Sequence, residues 1–272
     1  FVAGNTLQEC LQVAGRLNSQ GVQVTLNRLG EDVREKAHAD RMAQSFRQMV
    51  EEISAQKIQG NISLKPTQLG LSWNRELCES LVLEIARHAD RLGNTVEIDM
   101  EGSEYTQATL EIYRSVLKQF PETRIAIQAY LHRTEADLEM LRPLGARVRL
   151  VKGAYREPKQ VAVQSSRELT RKYARLITWL LEEFEEPAVA THNEKLQNHA
   201  LECIRRRKLS PDRYKFQFVY GIRRDQVERR VREGHRVQVY VPFGEEWYPY
   251  FMRRLAERPA NVWFVAKNLF RH

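Results

Sequence analysis

Two adjacent arginines near the carboxyl end of the chain, Arg253 and Arg254, are the side chains most clearly suited to chemistry. They follow Tyr240, Trp247 and Tyr250 in the segment YVPFGEEWYPYFMRRLAERPAN. A planar guanidinium binds a carboxylate through two parallel charge-assisted hydrogen bonds, and neighbouring rings can enclose a small apolar group. The pattern therefore indicates a pocket for a small carboxylic acid. The alternative is a basic, amphipathic surface helix whose rings face the core.

Polar residues follow several apolar segments at equivalent points. They are Lys65, Asp99, Gln128, Lys152, Thr191, His192, Asn193, Gln217 and Tyr240. Each has a structural alternative, since Asp99 could cap a helix or pair with Lys65, and His192 could be a core histidine. A shared site is favoured because five segments end in this way.

The cation of Arg149 lies within one of the apolar segments, VRLVKGA. A buried arginine without a partner is very costly, so Arg149 is expected to face a carboxylate, a cofactor or solvent. HExxH and GxSxG motifs are absent, and no histidines or cysteines have metal-ligand spacing. The cationic and aromatic residues predict an anionic ligand and a phosphate-bearing cofactor, with no metal.

The elements that must position these residues follow an eight-fold alternation. Short β-branched or apolar segments alternate with longer segments of helical periodicity, and prolines and glycines mark the boundaries. The predicted strands are 22–26, 61–65, 95–100, 124–130, 148–154, 188–193, 214–220 and 236–241. The clearest predicted helices are 73–92, 105–119, 165–185 and 225–233.

This alternation predicts an α/β fold, a single (βα)8 barrel over residues 1–272. The chain length of 272 residues is close to the roughly 250 typical of that fold. GxGxxG and GxxxxGK[ST] are absent, so neither a Rossmann domain nor a P-loop is supported. Active sites of such barrels lie at the carboxyl ends of the strands, where the polar residues fall.

The charge and composition of the chain indicate which classes of binding partner it favours. The chain carries 43 Lys and Arg against 35 Asp and Glu, a net charge of +8, which favours anionic partners. The basic runs at 205–208 and 223–232 read as solvated helix faces without a nucleic-acid motif, so no nucleic-acid binding is expected. No apolar run approaches the about 18 residues of a membrane span, but docking on an anionic membrane surface stays open.

Three cysteines, Cys10, Cys78 and Cys203, are far apart and odd in number. They indicate free thiols in a reducing compartment. The chain begins with Phe1 and has no initiator methionine, so we expect it to be truncated at its amino end.

Seven segments together resemble the proline dehydrogenase family, in particular its monofunctional bacterial type. They are ISLKPTQLGL, VEIDMEGSEYT, IQAYL, VRLVKGAYREP, ATHN, FQFVYGIR and YVPFGEEWYPYFMRRLAERPAN, in this order along nearly the whole chain. The resemblance implies a distorted (βα)8 TIM-type barrel with FAD bound non-covalently at the carboxyl ends of the strands. It also implies that the last helix covers the mouth and supplies the arginine pair.

The resemblance implies a role for each matching residue. Arg253, Arg254 and Lys65 would hold the proline carboxylate, while Tyr240, Tyr250 and Val219 would pack around its ring. Arg149 would lie beside flavin N5, and Asp99, with Tyr155 nearby, would hold the cations in position, making Asp99 and Arg149 the catalytic pair. The FAD contacts would be Met100, Gln128, Arg149, Lys152, Gly153, Ala154, Thr191 and His192. Glu257 and Gln217 would support them.

By the same resemblance, a hydride passes from proline C5 to flavin N5, and Δ1-pyrroline-5-carboxylate forms. The electrons would go to a membrane quinone, in the first step of proline catabolism to glutamate. The expected location is the bacterial cytoplasm, peripheral on the inner membrane. Two alternatives stay open: the same fold oxidising 4-hydroxyproline, and a barrel that binds FAD or another anion without catalysis.

Overall fold

The computed structural model describes residues 1–256, without the side chains of residue 249 and of residues 253–256. Eight parallel strands form a closed barrel in chain order, and the last strand pairs with the first. The strands are β1 (Gln23–Arg28), β2 (Gly60–Leu64), β3 (Val96–Ile98), β4 (Arg124–Gln128), β5 (Arg147–Val151), β6 (Ala188–Ala190), β7 (Lys215–Val219) and β8 (Val237–Phe243). The predicted (βα)8 barrel is confirmed, with one strand in each predicted segment.

Helices surround this barrel and connect its strands. They are α1 (Leu7–Asn18), α2 (Lys36–Ala55), α3 (Arg75–Arg91), α4 (Ser103–Leu117), α5 (Thr134–Leu141), α6 (Ser166–Glu183), α7 (Glu194–Arg207), α8 (Arg224–Arg232) and α9 (Trp247–Ala256). The helix α1 precedes the first strand and begins at a capping box formed by Thr6 and Glu9. The four predicted helices agree with α3, α4, α6 and α8 to within about two residues at each end.

Several predicted strands run past their observed carboxyl ends. The segment predicted as 148–154 contains β5, which ends at Val151. Gly153 has a φ of 113°, which a strand residue does not adopt, so the chain leaves the sheet there. The polar residues expected at the strand ends therefore lie mostly in the first turns of the following loops.

Apolar side chains fill the layer between the sheet and the helices, whereas the inside of the barrel is polar. Gln217 on β7 donates to Glu97 on β3 across the barrel, at 3.1 and 3.3 Å. Gln238 on β8 donates to Asn61 on β2 at 2.8 Å. Barrels of this type usually pack branched apolar side chains in the same position. Here, polar and charged groups in mutual contact replace them.

The prediction that the basic run 223–232 lies on a solvated helix face is wrong for three buried residues, Gln226, Val227 and Arg230. Arg230 of α8 is fully buried, with its guanidinium 5.7 Å from the centre of the Phe216 ring. Its Nη1 is paired with Glu233 Oε2 at 2.5 Å. Packing against β7 pulls the aliphatic stem inward, while the charge is neutralised within its own helix.

Cys10, Cys78 and Cys203 are free thiols, all of them buried. Within residues 1–256, no helix is both long and apolar enough to cross a membrane.

Candidate active site

A cavity of about 360 Å³ opens at the carboxyl ends of the strands. Every predicted site residue whose side chain the structure describes lines it. They are Lys65, Asp99, Met100, Gln128, Arg149, Lys152, Gly153, Ala154, Tyr155, Thr191, His192, Gln217, Val219, Tyr240 and Tyr250. The fold thus brings together residues that are up to 185 positions apart, from Lys65 to Tyr250. Their individual roles stay predictions.

Asp99 is the centre of a polar cluster on the cavity floor. Lys65 Nζ donates to Asp99 Oδ2 at 3.0 Å, and the Tyr240 hydroxyl donates to the same oxygen at 2.9 Å. Ser63 Oγ donates to Oδ1 at 2.7 Å, and Arg149 Nη2 is paired with that oxygen. Asp99 therefore pairs with Lys65 and also lies in the cavity. Two of its interpretations from the sequence, the ion pair and the shared site, hold together.

The charges in this cluster stabilise one another. Burial alone raises the pKa of Asp99, but the cations of Arg149 and Lys65 outweigh burial and hold this pKa well below its ordinary value. Burial acts in the opposite direction on Lys65, yet Asp99 raises the pKa of this lysine overall. Burial, followed by Asp99, raises the pKa of the Tyr240 hydroxyl well above its ordinary value. At neutral pH the floor carries an ionised carboxylate, two cations and a neutral phenol.

Arg149 meets the expectation that a carboxylate faces it. Its guanidinium pairs with Asp99 and, through Nη1, with Glu97 Oε2 at 2.9 Å. It also lies 5.5 Å from the centre of the Tyr240 ring. Its Nε is buried and has no hydrogen-bond partner within the part of the chain that the structure describes.

The wall on the β6 and β7 side is held by backbone contacts. The His192 ring accepts a hydrogen bond from the backbone amide of Val219 at 3.0 Å, and packs edge-on against Phe218. The Tyr173 hydroxyl of α6 donates to the carbonyl of Leu150 at 2.5 Å and to that of Ala190 at 3.0 Å. These contacts fix β5, β6 and β7 relative to one another beneath the cavity.

Arg253 and Arg254 belong to α9, the helix that also carries Tyr250 into the cavity wall. Their side chains, like the whole of Glu257, lie outside the described residues. Their predicted roles are therefore untested by the geometry.

Two buried carboxylates close to the cavity floor, Glu97 and Glu101, were not among the residues predicted from the sequence. Glu97 and Glu101 are 0% and 3% exposed. Glu101 accepts from the Thr67 amide at 2.9 Å and from its hydroxyl at 2.6 Å. The segment VEIDME carried a usable signal, because residues two apart on a strand share a face.

Comparison with known proteins assigns the family. The sequence profile described as proline dehydrogenase matches residues 10–267 of this chain. The chain belongs to the proline dehydrogenase family. Proline is the substrate of this family, and the match covers the strands, the cavity and α9.

Curated relatives agree in length as well as in sequence. Proline dehydrogenase 1 of Bacillus subtilis subsp. natto is 35% identical over 271 residues, which are 100% of this chain and 90% of the relative. The proline dehydrogenase of Deinococcus radiodurans is 32% identical over 277 residues, covering 100% of this chain and 89% of the relative. The chain therefore resembles the family's single-activity members along nearly their whole length.

A solved structure confirms the architecture of the proline dehydrogenase barrel. The proline utilization A protein of Bdellovibrio bacteriovorus, inactivated by N-propargylglycine, superposes with a TM-score of 0.87 at 22% identity. The match covers 94% of this chain and 32% of that longer protein. At this identity, the likeness supports the fold alone.

Proposed function

We propose that this protein oxidises L-proline to Δ1-pyrroline-5-carboxylate with non-covalently bound FAD, and that the electrons pass to a membrane quinone. The observation that carries the proposal is the cluster of Lys65, Asp99, Arg149 and Tyr240 on the floor of the strand-end cavity, in a chain of the proline dehydrogenase family. When bound, FAD supplies the acceptor for the hydride that leaves proline C5.

Lys65 is suited to bind the proline carboxylate because the lysine stays positively charged at neutral pH. The lysine is 7% exposed and its pKa is raised by Asp99, so it stays a cation at neutral pH. A cation that is already desolvated and oriented binds a carboxylate without further ordering of its own side chain. We propose that Arg253 and Arg254 complete this carboxylate site from α9.

Tyr240, Tyr250 and Val219 suit the apolar ring of proline. Tyr240 and Tyr250 both line the cavity, and the Tyr240 hydroxyl is anchored to Asp99, which fixes the position of its ring. We propose that these side chains exclude water from the ring and hold its C5 towards the cofactor.

Asp99 is suited to positioning. Four donors converge on its two oxygens, and its pKa lies far below neutral, so it stays ionised and has no proton to give. We propose that it holds Lys65, Arg149 and Tyr240 in place throughout the reaction.

The residues present fit a flavin cofactor. Arg149 lines the cavity, and its buried Nε is a donor without a partner among the described residues. A guanidinium there would stabilise negative charge on the reduced ring system. Lys152, Gly153, Ala154, Thr191 and His192 would hold the rest of FAD, with Met100 and Gln128 beside them at the ends of β3 and β4.

The net charge of the chain and its family support two further proposals, the quinone acceptor and the peripheral membrane location. A net charge of +8 favours an anionic surface, such as the inner face of a bacterial inner membrane. We propose that the protein docks there from the cytoplasm.

The visible spectrum of the FAD-loaded protein, recorded without oxygen before and after addition of L-proline, tests the proposal. We expect proline to bleach the flavin bands and a short-chain quinone to restore them. Lys65→Met should raise the proline concentration for half-bleaching by at least about tenfold, because losing a charged hydrogen-bond partner costs about 1.5–3 kcal/mol. The matched control Lys159→Met changes an exposed lysine and should behave as wild type.

Failure to bind FAD would overturn the proposal. A flavin spectrum that L-proline leaves unchanged, but that 4-hydroxyproline bleaches, would replace the substrate and keep the cofactor. Bleaching that no quinone reverses would remove the proposed acceptor.

A further inference from the structure

A row of alternating charges runs through the barrel from its amino-terminal end to the cavity. We name it the axial ion row, and it consists of Glu186, Arg124, Glu97, Arg149 and Asp99. Arg124 Nη2 lies 3.0 Å from Glu186 Oε2, and Arg124 Nε lies 3.4 Å from Glu97 Oε1. Glu97 Oε2 lies 2.9 Å from Arg149 Nη1, and Arg149 Nη2 is paired with Asp99. The cavity floor is thereby connected to the opposite end of the barrel.

Glu97 is the central member of this row and is completely buried. Besides the two arginines, it accepts from Gln217 Nε2 at 3.1 and 3.3 Å and from Asn61 Nδ2 at 3.4 Å. A carboxylate is acceptor-only when ionised, and here all the surrounding groups are donors. Its position is therefore fixed from four sides.

Glu97 and Asp99 hold the Arg149 guanidinium from one strand. The two carboxylates are two residues apart on β3 and its end, so they share a face, and each takes one terminal nitrogen of Arg149. With both in place, two contacts fix the orientation of the guanidinium in the residue that lines the cavity floor. If only Asp99 held it, the Arg149 guanidinium could rotate about that single contact.

We infer that Glu97 is a positioning residue that holds Arg149 in the orientation in which it meets the cofactor. The inference rests on the proposed function, since Arg149 is there the group beside the flavin. The competing explanation is that Glu97 only neutralises buried cations, as a structural ion pair would.

A double-mutant cycle between Glu97 and Arg149 separates the two explanations. The variants are Glu97→Gln, Arg149→Met and the double variant, each prepared as apoprotein. FAD affinity is measured from the quenching of flavin fluorescence, and kcat and KM for proline are measured on the loaded forms. The amide of Gln offers only one acceptor, so its NH2 must face one of the two arginines and displace it.

For a positioning role, we expect Glu97→Gln to weaken FAD binding at least about fivefold and to lower kcat more than it raises the KM for proline. In the Arg149→Met background, the same change should weaken FAD binding by less than about twofold, because the side chain through which Glu97 acts is gone. Equal losses in both backgrounds would show a structural role and overturn the inference. No loss in the otherwise wild-type background would overturn it too.

Lys215→Met is the matched control. Lys215 is buried in the same barrel and pairs with Glu186 at 3.2 Å, but it makes no hydrogen bond to Glu97 or Arg149. It should lower stability without changing FAD affinity. If Glu97→Gln does not fold, Arg124→Lys replaces it in the cycle, because a lysine keeps the charge but cannot bridge both Glu186 and Glu97.

Failure of the inference is distinguishable from failure of the proposed function. If wild type does not bind FAD, or if Arg149→Met binds it normally, the assignment of Arg149 to the cofactor falls and the inference falls with it. The other outcome is that Arg149→Met weakens FAD binding, while Glu97→Gln weakens it equally in the wild-type and Arg149→Met backgrounds. In that case only the inference about Glu97 is overturned.

Discussion

Asp99 is the side chain on which the polar groups of the cavity converge. Lys65, Arg149, Ser63 and Tyr240 all donate to its two oxygens. A lone buried carboxylate would take up a proton, whereas this one stays ionised because cations surround it. The chemistry of the site therefore depends on neighbours contributed by other strands.

Glu101, two residues further along, has the opposite electrostatic environment. Burial, only partly offset by the hydrogen bonds from Thr67, raises its pKa to about 7. The groups facing it are Lys65, Glu31, Cys78 and Tyr105. It braces the turn that follows Lys65, and its backbone carbonyl accepts from Gln128 Nε2 at 2.9 Å. Its protonation is therefore linked to the stability of the site.

Glu101→Gln should remove part of the pH dependence of stability. The folded-state pKa of about 7 exceeds the ordinary 4.5, so the contribution of Glu101 is complete below pH 4.5 and is lost as the pH rises through 7. Between pH 4.5 and 8, we expect the free energy of unfolding of wild type to fall by about 3 kcal/mol relative to Glu101→Gln.

Urea unfolding across this pH range measures the difference. The exposed Glu139→Gln is the control and should follow wild type at every pH. Parallel curves for wild type and Glu101→Gln would refute the assignment.

At the scale of elements, the loop between β5 and α6 shapes the cavity rim. Glu157 in this loop accepts from the Ser103 amide at 2.7 Å and from its hydroxyl at 2.6 Å, which ties the loop to the first turn of α4. Gly153 lets the chain turn out of β5 with a φ of 113° and packs directly on the Tyr130 ring. The position of the loop is thus set by the turn at Gly153 and by the hydrogen bonds between Glu157 and Ser103 of α4.

Gly153→Ala should be far more damaging than alanine at an unconfined glycine. An added Cβ would lie 2.3 Å from the Tyr130 ring, at a φ that alanine rarely adopts. We expect a loss of at least about 3 kcal/mol of unfolding free energy, together with weaker FAD binding. Gly93→Ala, at a φ of 65° with nothing within 4 Å, should cost about 1 kcal/mol and leave FAD affinity unchanged.

Chemical denaturation and FAD titration of both variants check this prediction. Equal stabilities would mean that the packing against Tyr130 does not restrict the loop.

At the scale of the molecule, buried charges join separate parts of the barrel. Glu186 lies in the loop before β6, at the amino-terminal end of the barrel. It pairs with Arg124, Arg147, Lys215 and Arg236, which come from β4, β5, β7 and the residue before β8. Burial raises the pKa of Glu186, but these cations lower it overall, to about 2. One carboxylate thus forms ion pairs with four cations from different parts of the barrel.

Glu186→Gln should destabilise the whole barrel. Removing this shared anion is expected to cost about 3 kcal/mol at pH 7, since the buried Lys215 loses its ion pair and a buried charge left unpaired costs about 3–5 kcal/mol. Because the folded-state pKa is depressed, the contribution of Glu186 is complete above its ordinary pKa of 4.5 and is lost as the pH falls towards 2. The difference between variant and wild type should therefore shrink at pH 3.

Urea unfolding at pH 7 and pH 3 provides the comparison. Glu183→Gln, an exposed carboxylate three residues earlier, is the control and should match wild type. A difference that does not change with pH would argue against the ion cluster as its cause.

Hydrophobic periodicity, with prolines and glycines at the boundaries, predicted the eight strands and the main helices, because these depend on the local spacing of side chains. The number of strand–helix units and the chain length then predicted the barrel. The strand-end polar residues, from Lys65 to Tyr240, were also predictable, since parallel strands of a barrel direct their carboxyl ends to one face. Arg149 was expected to face a carboxylate, a cofactor or solvent, because an unpaired buried guanidinium is too costly, and the structure shows two carboxylates.

Tertiary structure alone decided which carboxylate pairs with which cation. Glu97 meets Gln217 although 120 positions separate them, and no local pattern encodes a contact across the barrel. Burial of Arg230 and the opposite pKa shifts of Asp99 and Glu101 likewise depend on neighbours from distant segments. The physical reason is that desolvation and Coulomb interactions act through space, so they are set only when the strands close into a barrel.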